Sequence, residues 1–251
     1  MKEQLTCAMD IGEQMLLAGA EVHRVEDSIK RMCLALGAKR IDVFIITSSM
    51  VATFYNDDEN GYTQTRRIDG IGTDMEKLHR LNALSRKICE QPMSLEEIRA
   101  EFRAILAARS YPFYLECIAC CAIAGAFTLF FGGTWIEALV SLFVGGIVKC
   151  ALYLFEKTLK NKVICKLLCS FLASTLAFAA VRWGITGDID KVIIGNIMSL
   201  IPGIGLTNAL RDLFTGDNIA GILRSIEALL VAVAIAAGYF LFVCVFRGGA
   251  L

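Results

Sequence analysis

The sequence predicts an α-helical polytopic membrane protein with about five spans, one of them broken at Pro202, and an N-terminal α+β cytoplasmic domain. The first 110 residues contain 32 of the 50 Asp, Glu, Lys and Arg residues, whereas the last 141 contain only 18. The second part also contains the apolar runs of about 20 residues that a helix needs to cross ~30 Å of hydrocarbon. These observations indicate two domains, at residues 1–110 and 111–251.

The N-terminal domain is predicted to contain two helices, a short meander of strands and two further helices. Apolar residues recur with a helical period over Leu5–Leu17, and a second helix runs from about Val22 to Leu36, where Gly37 ends it. Three runs rich in β-branched and aromatic residues follow, and a hairpin loop (residues 57–61) with an Asn-Gly turn joins the last two. The predicted strands are Ile41–Ile46, Val51–Tyr55 and Tyr62–Ile68.

Two capping boxes predict the last helices of this domain. Thr73 is followed three residues later by Glu76, which predicts a helix over Thr73–Ile88. Ser94 and Glu97 repeat the pattern and predict a helix that reaches about Ala108.

Five apolar segments are predicted to span the membrane, and lysines set their orientation. Four lysines (Lys157, Lys160, Lys162 and Lys166) lie in the connection between the second and third spans or in the first turn after it, whereas the outer connections are uncharged or acidic. Because Lys and Arg stay on the cytoplasmic side, this loop and the N-terminal domain are expected in the cytoplasm and Leu251 outside. The first ten residues lack the apolar core of a signal peptide, and the inner membrane is the expected location. The segments are Phe113–Phe131, Trp135–Phe155, Ile164–Ile185, Ile189–Leu210 and Ile219–Phe246.

Enzyme chemistry is not expected. The ten cysteines include a Cys-x-x-Cys pair, but no second Cys or His pair completes a zinc site, and small apolar packing residues are the expected role. No nucleophile elbow, phosphate loop or metalloprotease motif is present. We therefore predict no catalytic residues, no metal, no cofactor and no nucleic-acid partner.

Polar residues cluster at the start of the second predicted helix. Glu21, His23, Arg24 and Glu26 lie within six residues, and they form either a functional cluster or a solvated helix start with intrahelical ion pairs. The segment Thr47–Ser49 joins two strands, and a hydroxyl-rich turn is the simpler interpretation.

Charged residues inside predicted spans need a partner or water. Lys149 lies about two turns from the cytoplasmic end of the second span, and either its stem reaches the interface or it pairs with an acid. Glu227, at a similar depth in the fifth span, is the expected partner. Glu116, one turn into the first span, is close enough to its end to reach the interface.

The fourth predicted span is interrupted near its middle. Pro202 cannot donate a backbone hydrogen bond, and Gly203 beside it adds backbone freedom. Broken helices of this kind form small-solute sites in many transporters, although a structural kink is the alternative. We expect the break and its polar neighbours to line a cavity near mid-membrane, with Arg211 attracting an anionic solute. The candidate substrate-binding residues are Asn196, Ser199, Pro202, Gly203, Asn208, Arg211 and Asp212.

Two motifs resemble the threonine/serine exporter family. One is Pro202-Gly203 followed by Asn208-Ala209-x-Arg211-Asp212 and Gly216-Asp217, and the other is Gly19-Ala20-Glu21-x-x-Arg24-Val25-Glu26. The likeness covers essentially the whole chain and corresponds to the N-terminal unit of the full-length exporters, with a cytoplasmic domain and five spans.

The resemblance implies a subunit of a secondary transporter that exports hydroxy amino acids or, in some split members, dicarboxylates such as succinate. It also implies a proton-motive driving force and a separate small membrane protein that completes the exporter. Assembly of several copies of the chain stays open. The alternative is a membrane-anchored ligand sensor or regulatory subunit, which would leave the Pro202 break unexplained.

Overall fold

The computed structural model describes residues 1–56, 61–70, 72–108, 111–159 and 161–246. The chain forms two compact units, neither of which is continuous in sequence. The first unit comprises Met1–Arg109 and Ile204–Ile226, and the second comprises Ser110–Gly203 and Glu227–Leu251. The first unit thus includes a segment from the C-terminal half of the chain, which the charge distribution did not predict.

The first unit begins with two amphipathic helices and a three-stranded sheet. Helix α1 spans Lys2–Leu17 and α2 spans Val22–Ala35. The strands β1 (Arg40–Ile46), β2 (Ser49–Tyr55) and β3 (Gly61–Arg67) form an antiparallel meander in the order β1-β2-β3. These elements confirm the predicted order and, within three residues, the predicted bounds.

The helical period of α2 and the alternation of side chains along β2 place the apolar side chains of these elements in one core. Helix α2 buries residues three or four positions apart, and β2 buries every second residue. Burial of such a stripe is what stabilises helices of this length, because isolated short helices are marginal in water. The buried residues of α2 are Val22, Val25, Ile29, Met32 and Cys33, and those of β2 are Met50, Ala52 and Phe54.

The two strand connections have different outcomes. Thr47 and Ser48 form a tight turn and Ile46 pairs with Ser49, so the hydroxyl-rich turn is confirmed. The Asp57–Asn60 part of the second predicted loop lies outside the described residues. Its ends are nevertheless a hairpin, because Tyr55 pairs with Gly61.

The helices α3 (Met75–Glu90) and α4 (Leu95–Ala107) complete the sequence-contiguous part of this unit. The capping box of α4 is confirmed, since Ser94 Oγ accepts from Glu97 N–H at 3.3 Å and Glu97 accepts from Ser94 N–H at 2.8 Å. The predicted start of α3 at Thr73 is wrong. Asp74 is the N-cap and accepts from Lys77 N–H at 2.9 Å.

The second unit is a bundle of apolar helices. Among the described residues, four helices are long and apolar enough to cross a membrane. A fifth crossing exists only if α8 (Ile189–Met198) and α9 (Gly203–Thr215) together count as one span. The four are α5 (Phe113–Phe130), α6 (Trp135–Thr158), α7 (Lys162–Arg182) and α10 (Asn218–Phe246). Such helices are the mark of a polytopic membrane protein.

Small residues allow close helix contacts in this bundle. A Cβ placed on Gly195 of α8 would lie 2.0 Å from Thr128 Oγ1 of α5, so this position admits only glycine without rearrangement. Thr128 Oγ1 donates to Ser141 Oγ of α6 at 2.6 Å. Contacts of this kind between small and hydroxyl residues are typical of packing inside membranes.

The break at Pro202 separates two helices. Helix α8 spans Ile189–Met198, α9 spans Gly203–Thr215, and their axes differ by 55°. The predicted interruption is therefore confirmed. Residues Ile204–Ile226, which comprise nearly all of α9 and the first turns of α10, belong to the first unit.

Candidate functional site

The connection between α1 and α2, residues Ala18–Glu21, is called the linker below. Gly19 has φ +97°, a region that L side chains rarely adopt, and a Cβ there would lie 2.8 Å from Gly72 O. The backbone just before α3 contacts the linker and the end of α1 from this side. Gly72 N–H donates to Leu17 O, and Asp74 N–H donates to Ala18 O, both at 2.9 Å. The sequence thus fixes the linker through one glycine and two backbone bonds.

Helices α9 and α10 bind the linker through side chains almost 200 residues away in sequence. Asn208 Nδ2 of α9 donates to Gly19 O at 2.9 Å. Arg224 Nη2 of α10 donates to Ala20 O at 2.9 Å. Both bonds satisfy linker carbonyls that no regular element pairs, which would otherwise be costly to bury.

Asp212 acts as a cap for the start of α2. Glu21 occupies the N-cap position, but its side chain makes no capping hydrogen bond. Asp212 Oδ1 accepts instead from Val22 N–H at 3.2 Å, and Asp212 Oδ2 lies 3.0 Å from Arg224 Nη1. A carboxylate at a helix N-terminus satisfies an orphan donor and interacts favourably with the helix dipole.

Burial makes this ion pair different from those on the surface. The Asp212 side chain is 0 % exposed and that of Arg224 is 7 % exposed. Charges withdrawn from water this far require partners, and removal of one partner is strongly destabilising. The pair therefore fixes α9 and α10 against the start of α2.

The polar cluster at the start of α2 divides into residues with different contacts. Glu21 pairs with Arg211 of α9, and His23 Nδ1 lies 3.9 Å from Asp217 Oδ2. Glu26 faces the sheet and accepts from Ile45 N–H at 2.8 Å. Burial raises the pKa of Glu26 above its ordinary value, although the Ile45 N–H acts in the opposite direction. Arg24 is exposed.

The seven candidate substrate-binding residues do not form one set. Asn196, Ser199, Pro202 and Gly203 belong to the second unit, whereas Asn208, Arg211 and Asp212 belong to the first and contact the linker or Glu21. The sequence-based prediction grouped these residues because they lie within 17 positions of one another, which is roughly the length of a single membrane span.

Asn196 is the most buried of the candidates in the second unit. Its side chain is 1 % exposed, and Nδ2 donates to Val192 O at 2.9 Å. Within the described residues, Oδ1 accepts no hydrogen bond and faces Gly145 of α6. Ser199 Oγ donates to Asn196 O at 2.8 Å, so it satisfies a carbonyl at the end of α8.

The structure corrects the expected partner of Lys149. Its Nζ lies 2.8 Å from Glu116 Oε2 in the first turn of α5, and not beside Glu227, which is exposed on α10. Helices α5 and α6 are joined by a four-residue turn and run antiparallel, so the start of α5 lies beside the later part of α6. The long lysine stem then reaches the carboxylate at the helix start.

Arg224 and Glu137 were not predicted as site residues, and Asp217 was noted only within the family motif. Arg224 and Asp217 lie in the first unit, where Arg224 contacts the linker and Asp212 and Asp217 lies near His23. Glu137 is 5 % exposed, forms a capping box with Thr134 and accepts from Thr186 Oγ1 at 3.2 Å. Arg224 carried a usable signal, because an arginine within a predicted apolar span needs a partner.

Comparisons with known proteins agree on one family. The family model described as "Putative threonine/serine exporter" matches residues 6–246. The chain is 24% identical to "Probable succinate transporter subunit YjjP" of Klebsiella aerogenes over 225 residues, which cover 89% of this chain and 86% of the relative. No solved structure matches the chain.

Proposed function

Since the chain belongs to the threonine/serine exporter family, we propose that it is a subunit of a secondary transporter for a small polar metabolite. The proposed solute is a threonine/serine-type amino acid or a dicarboxylate such as succinate, exported across the bacterial inner membrane. The name of the family supports the first solute class, and that of the Klebsiella relative supports the second.

The break between α8 and α9 is the observation on which this proposal depends. A helix that ends inside an apolar bundle leaves backbone carbonyls without intrahelical partners, and transporters use such ends to bind solutes. Asn196, Ser199 and the backbone at Pro202-Gly203 supply the polar groups near the end of α8. We assign the solute path to these four residues.

The other candidates receive a different proposed role. Asn208 and Asp212 use their polar atoms on the linker, so they position α9. Arg211 has a 64 % exposed side chain and a carboxylate partner in Glu21. A solute carboxylate can replace Glu21 as the partner of this guanidinium, whose fork can donate to both carboxylate oxygens, which keeps Arg211 as the proposed site of first attraction.

The proposed assembly contains a second, small membrane protein, which agrees with the word "subunit" in the name of the relative. The first unit is proposed to lie in the cytoplasm. The four lysines that follow the second span support this orientation, because positive residues stay on the cytoplasmic side.

Solute efflux tests the proposal. Cells that co-express the chain and its partner protein should export threonine or succinate, and Asn196→Ala and Pro202→Ala should reduce export at equal membrane abundance. Gln91→Ala, an exposed change at the end of α3, is the matched control. The proposal would be rejected if cells that express the wild-type chain and its partner export neither solute above the vector control. Undiminished export by both variants would remove the break from the mechanism.

A further inference from the structure

Helix α9 and the first turns of α10 share an exposed apolar surface in the first unit. Exposed apolar residues lie four positions apart on α9, and three or four positions apart on residues 218–226 of α10. Residues at these spacings lie on one side of a helix, so each set forms a continuous stripe. The two stripes, called the apolar face below, consist of Leu206, Leu210, Phe214, Ile219, Ile222 and Ile226.

The opposite side of both helices is bound to the rest of the first unit. Asn208 and Asp212 of α9 bind the linker and the start of α2, and Arg224 of α10 binds Ala20 O. Ala220, one turn before Arg224, is buried in the core of this unit. Both helices are therefore amphipathic, with a fixed side and an exposed apolar side.

Exposed apolar side chains are concentrated on this short stretch of the first unit. Residues 204–226 contain eight large exposed ones, whereas the described part of residues 1–109 contains five. Single exposed apolar residues are ordinary on a water-soluble surface, but a contiguous set marks a surface that binds an apolar partner.

The course of α10 indicates which partner covers the apolar face. The last ~20 residues of this helix, 227–246, are enough to cross the hydrocarbon of a bilayer, so residues 218–226 directly precede a span. Leu229, Leu230 and Val233 continue the α10 stripe on the same side of the helix, and they are exposed as well. The apolar face is thus continuous with the exposed side of a membrane span, which makes lipid the partner that fits it.

Arg211 argues against a location of α9 in the middle of the hydrocarbon. Its side chain is 64 % exposed although it pairs with Glu21. An exposed cation is costly in hydrocarbon, whereas at the membrane surface it can reach water and headgroups. The 55° bend between α8 and α9 is also expected where the chain turns from a bundle toward a surface.

We propose that α9 and the first turns of α10 lie along the membrane surface, with the apolar face in the boundary between lipid headgroups and acyl chains. Amphipathic helices at this boundary are buried to a depth of about 5–10 Å. Because the other side of the same helices holds the linker, this contact anchors the first unit to the bilayer. The inference goes beyond the proposed function and does not depend on which solute is transported.

Quenching of tryptophan fluorescence by brominated lipids tests this location. The full chain carries Trp135→Phe, Trp183→Phe and the probe Phe214→Trp, and it is reconstituted in vesicles of phosphatidylcholine and phosphatidylglycerol. Bromine near the headgroup should reduce the emission of this probe more than bromine near the end of the acyl chain does. Phe44→Trp, which replaces another exposed aromatic residue of the first unit, is the matched control and should lose no emission.

Photoreactive lipids give a second measurement, on the unmodified chain in native membranes. Cells that express the chain incorporate a fatty acid with a diazirine group, and light attaches this lipid to the residues that it contacts. Trypsin cleaves after Arg211 and Arg224, and the released peptide of residues 212–224 should carry the lipid. The tryptic peptide of residues 41–66, which contains Phe44, should not.

Three results would overturn the proposal. Stronger quenching of Phe214→Trp by the deep bromine would place α9 near mid-membrane. Equal quenching of Phe214→Trp and Phe44→Trp would show that lipid does not prefer the apolar face. Absence of lipid from the peptide of residues 212–224 would show that a second copy of the chain or another protein covers this face in native membranes.

Discussion

Asp212 shows how one side chain can complete an element that is far away in sequence. It accepts from the first free N–H of α2 and lies beside Arg224, with no exposed surface of its own. The two oxygens of one carboxylate therefore serve as a helix cap and as half of a buried ion pair. Single substitutions can separate these two roles.

We expect Asp212→Ala to lower the free energy of unfolding of the first unit by about 3–5 kcal/mol, because it removes the cap and one member of a buried pair. Asp212→Asn keeps an acceptor for Val22 N–H and should cost less. Asp27→Ala, which removes an exposed pair with Arg31, should change little. Thermal unfolding in detergent measures all three, and equal midpoints for Asp212→Ala and Asp27→Ala would contradict this account.

Glu26 gives a prediction about pH. Its pKa is raised from 4.5 in the folded protein, chiefly by burial, so the folded state holds this proton to higher pH than the unfolded state does. Stability should then fall as pH rises from about 4.5 through the folded pKa. Glu26→Gln removes the ionisation and keeps an acceptor for Ile45 N–H, so it should remove this part of the pH dependence. Unfolding midpoints of the wild type and of Glu26→Gln, measured between pH 4.5 and 8, give this difference. Parallel pH profiles of the two proteins would show that Glu26 contributes nothing.

At the scale of the elements, the linker contains a position, Gly19, that needs glycine for two reasons: its positive φ and a close backbone neighbour. Gly19 and Gly37 have the same φ of +97°, but only Gly19 also has a close neighbour, Gly72 O. A Cβ on Gly37 would meet nothing within 4 Å. The two positions therefore form a matched pair in which backbone strain is common and close contact is not.

Gly19→Ala should destabilise the first unit more than Gly37→Ala does. Both substitutions place a side chain at positive φ, at a cost on the order of 1–2 kcal/mol. Gly19→Ala must also displace the backbone at Gly72, since the added Cβ would lie 2.8 Å from Gly72 O. Denaturant unfolding followed by near-ultraviolet circular dichroism gives the difference, and equal effects would show that the loop moves freely.

Local signals predicted most of the elements. The period of α2, the alternation of β2 and the Ser94 box of α4 each depend on residues within one turn or one strand. The start of α3 was missed because Thr73 and Asp74 are both good caps. The bond from Asp74 N–H to Ala18 O, which no local pattern encodes, accompanies the choice of Asp74.

The role of α9 was harder to predict. Its apolar residues continue the hydropathy of a span, and they favoured a mid-membrane location for every polar residue in it. Asn208, Arg211, Asp212 and Thr215 nevertheless lie three or four positions apart and form a polar stripe. The stripe predicts a polar partner on one side, but only tertiary structure identifies that partner as the linker.

At the scale of the whole molecule, the number of membrane crossings decides where the chain ends. Four helices qualify among the described residues, and the bent pair α8/α9 adds a fifth crossing only if it spans. An even number of crossings places the two termini on the same side, and an odd number places them on opposite sides.

Reporter fusions distinguish the two cases. We expect a reporter at Met1 to be active in the cytoplasm, because the lysines after the second span place the N-terminal side there. We expect one at Leu251 outside it, because the bent pair α8/α9 would then supply a fifth crossing. A fusion within the loop at Lys157–Lys162 is the internal control and should report the cytoplasm. Cytoplasmic signals from both termini would remove the fifth crossing.

The division of the first unit between two stretches of chain has a consequence for biosynthesis. When Arg109 leaves the ribosome, the start of α2 still lacks Asp212 and Arg224, which the chain supplies only later. At cellular elongation rates, the roughly 90 residues from Ser110 to Gly203 take about 5–20 s to make. During this interval the nascent domain has an uncapped helix and an incomplete core. Its final folding step therefore follows synthesis of the helices α5 to α8, so only a chain translated past them acquires the completed linker.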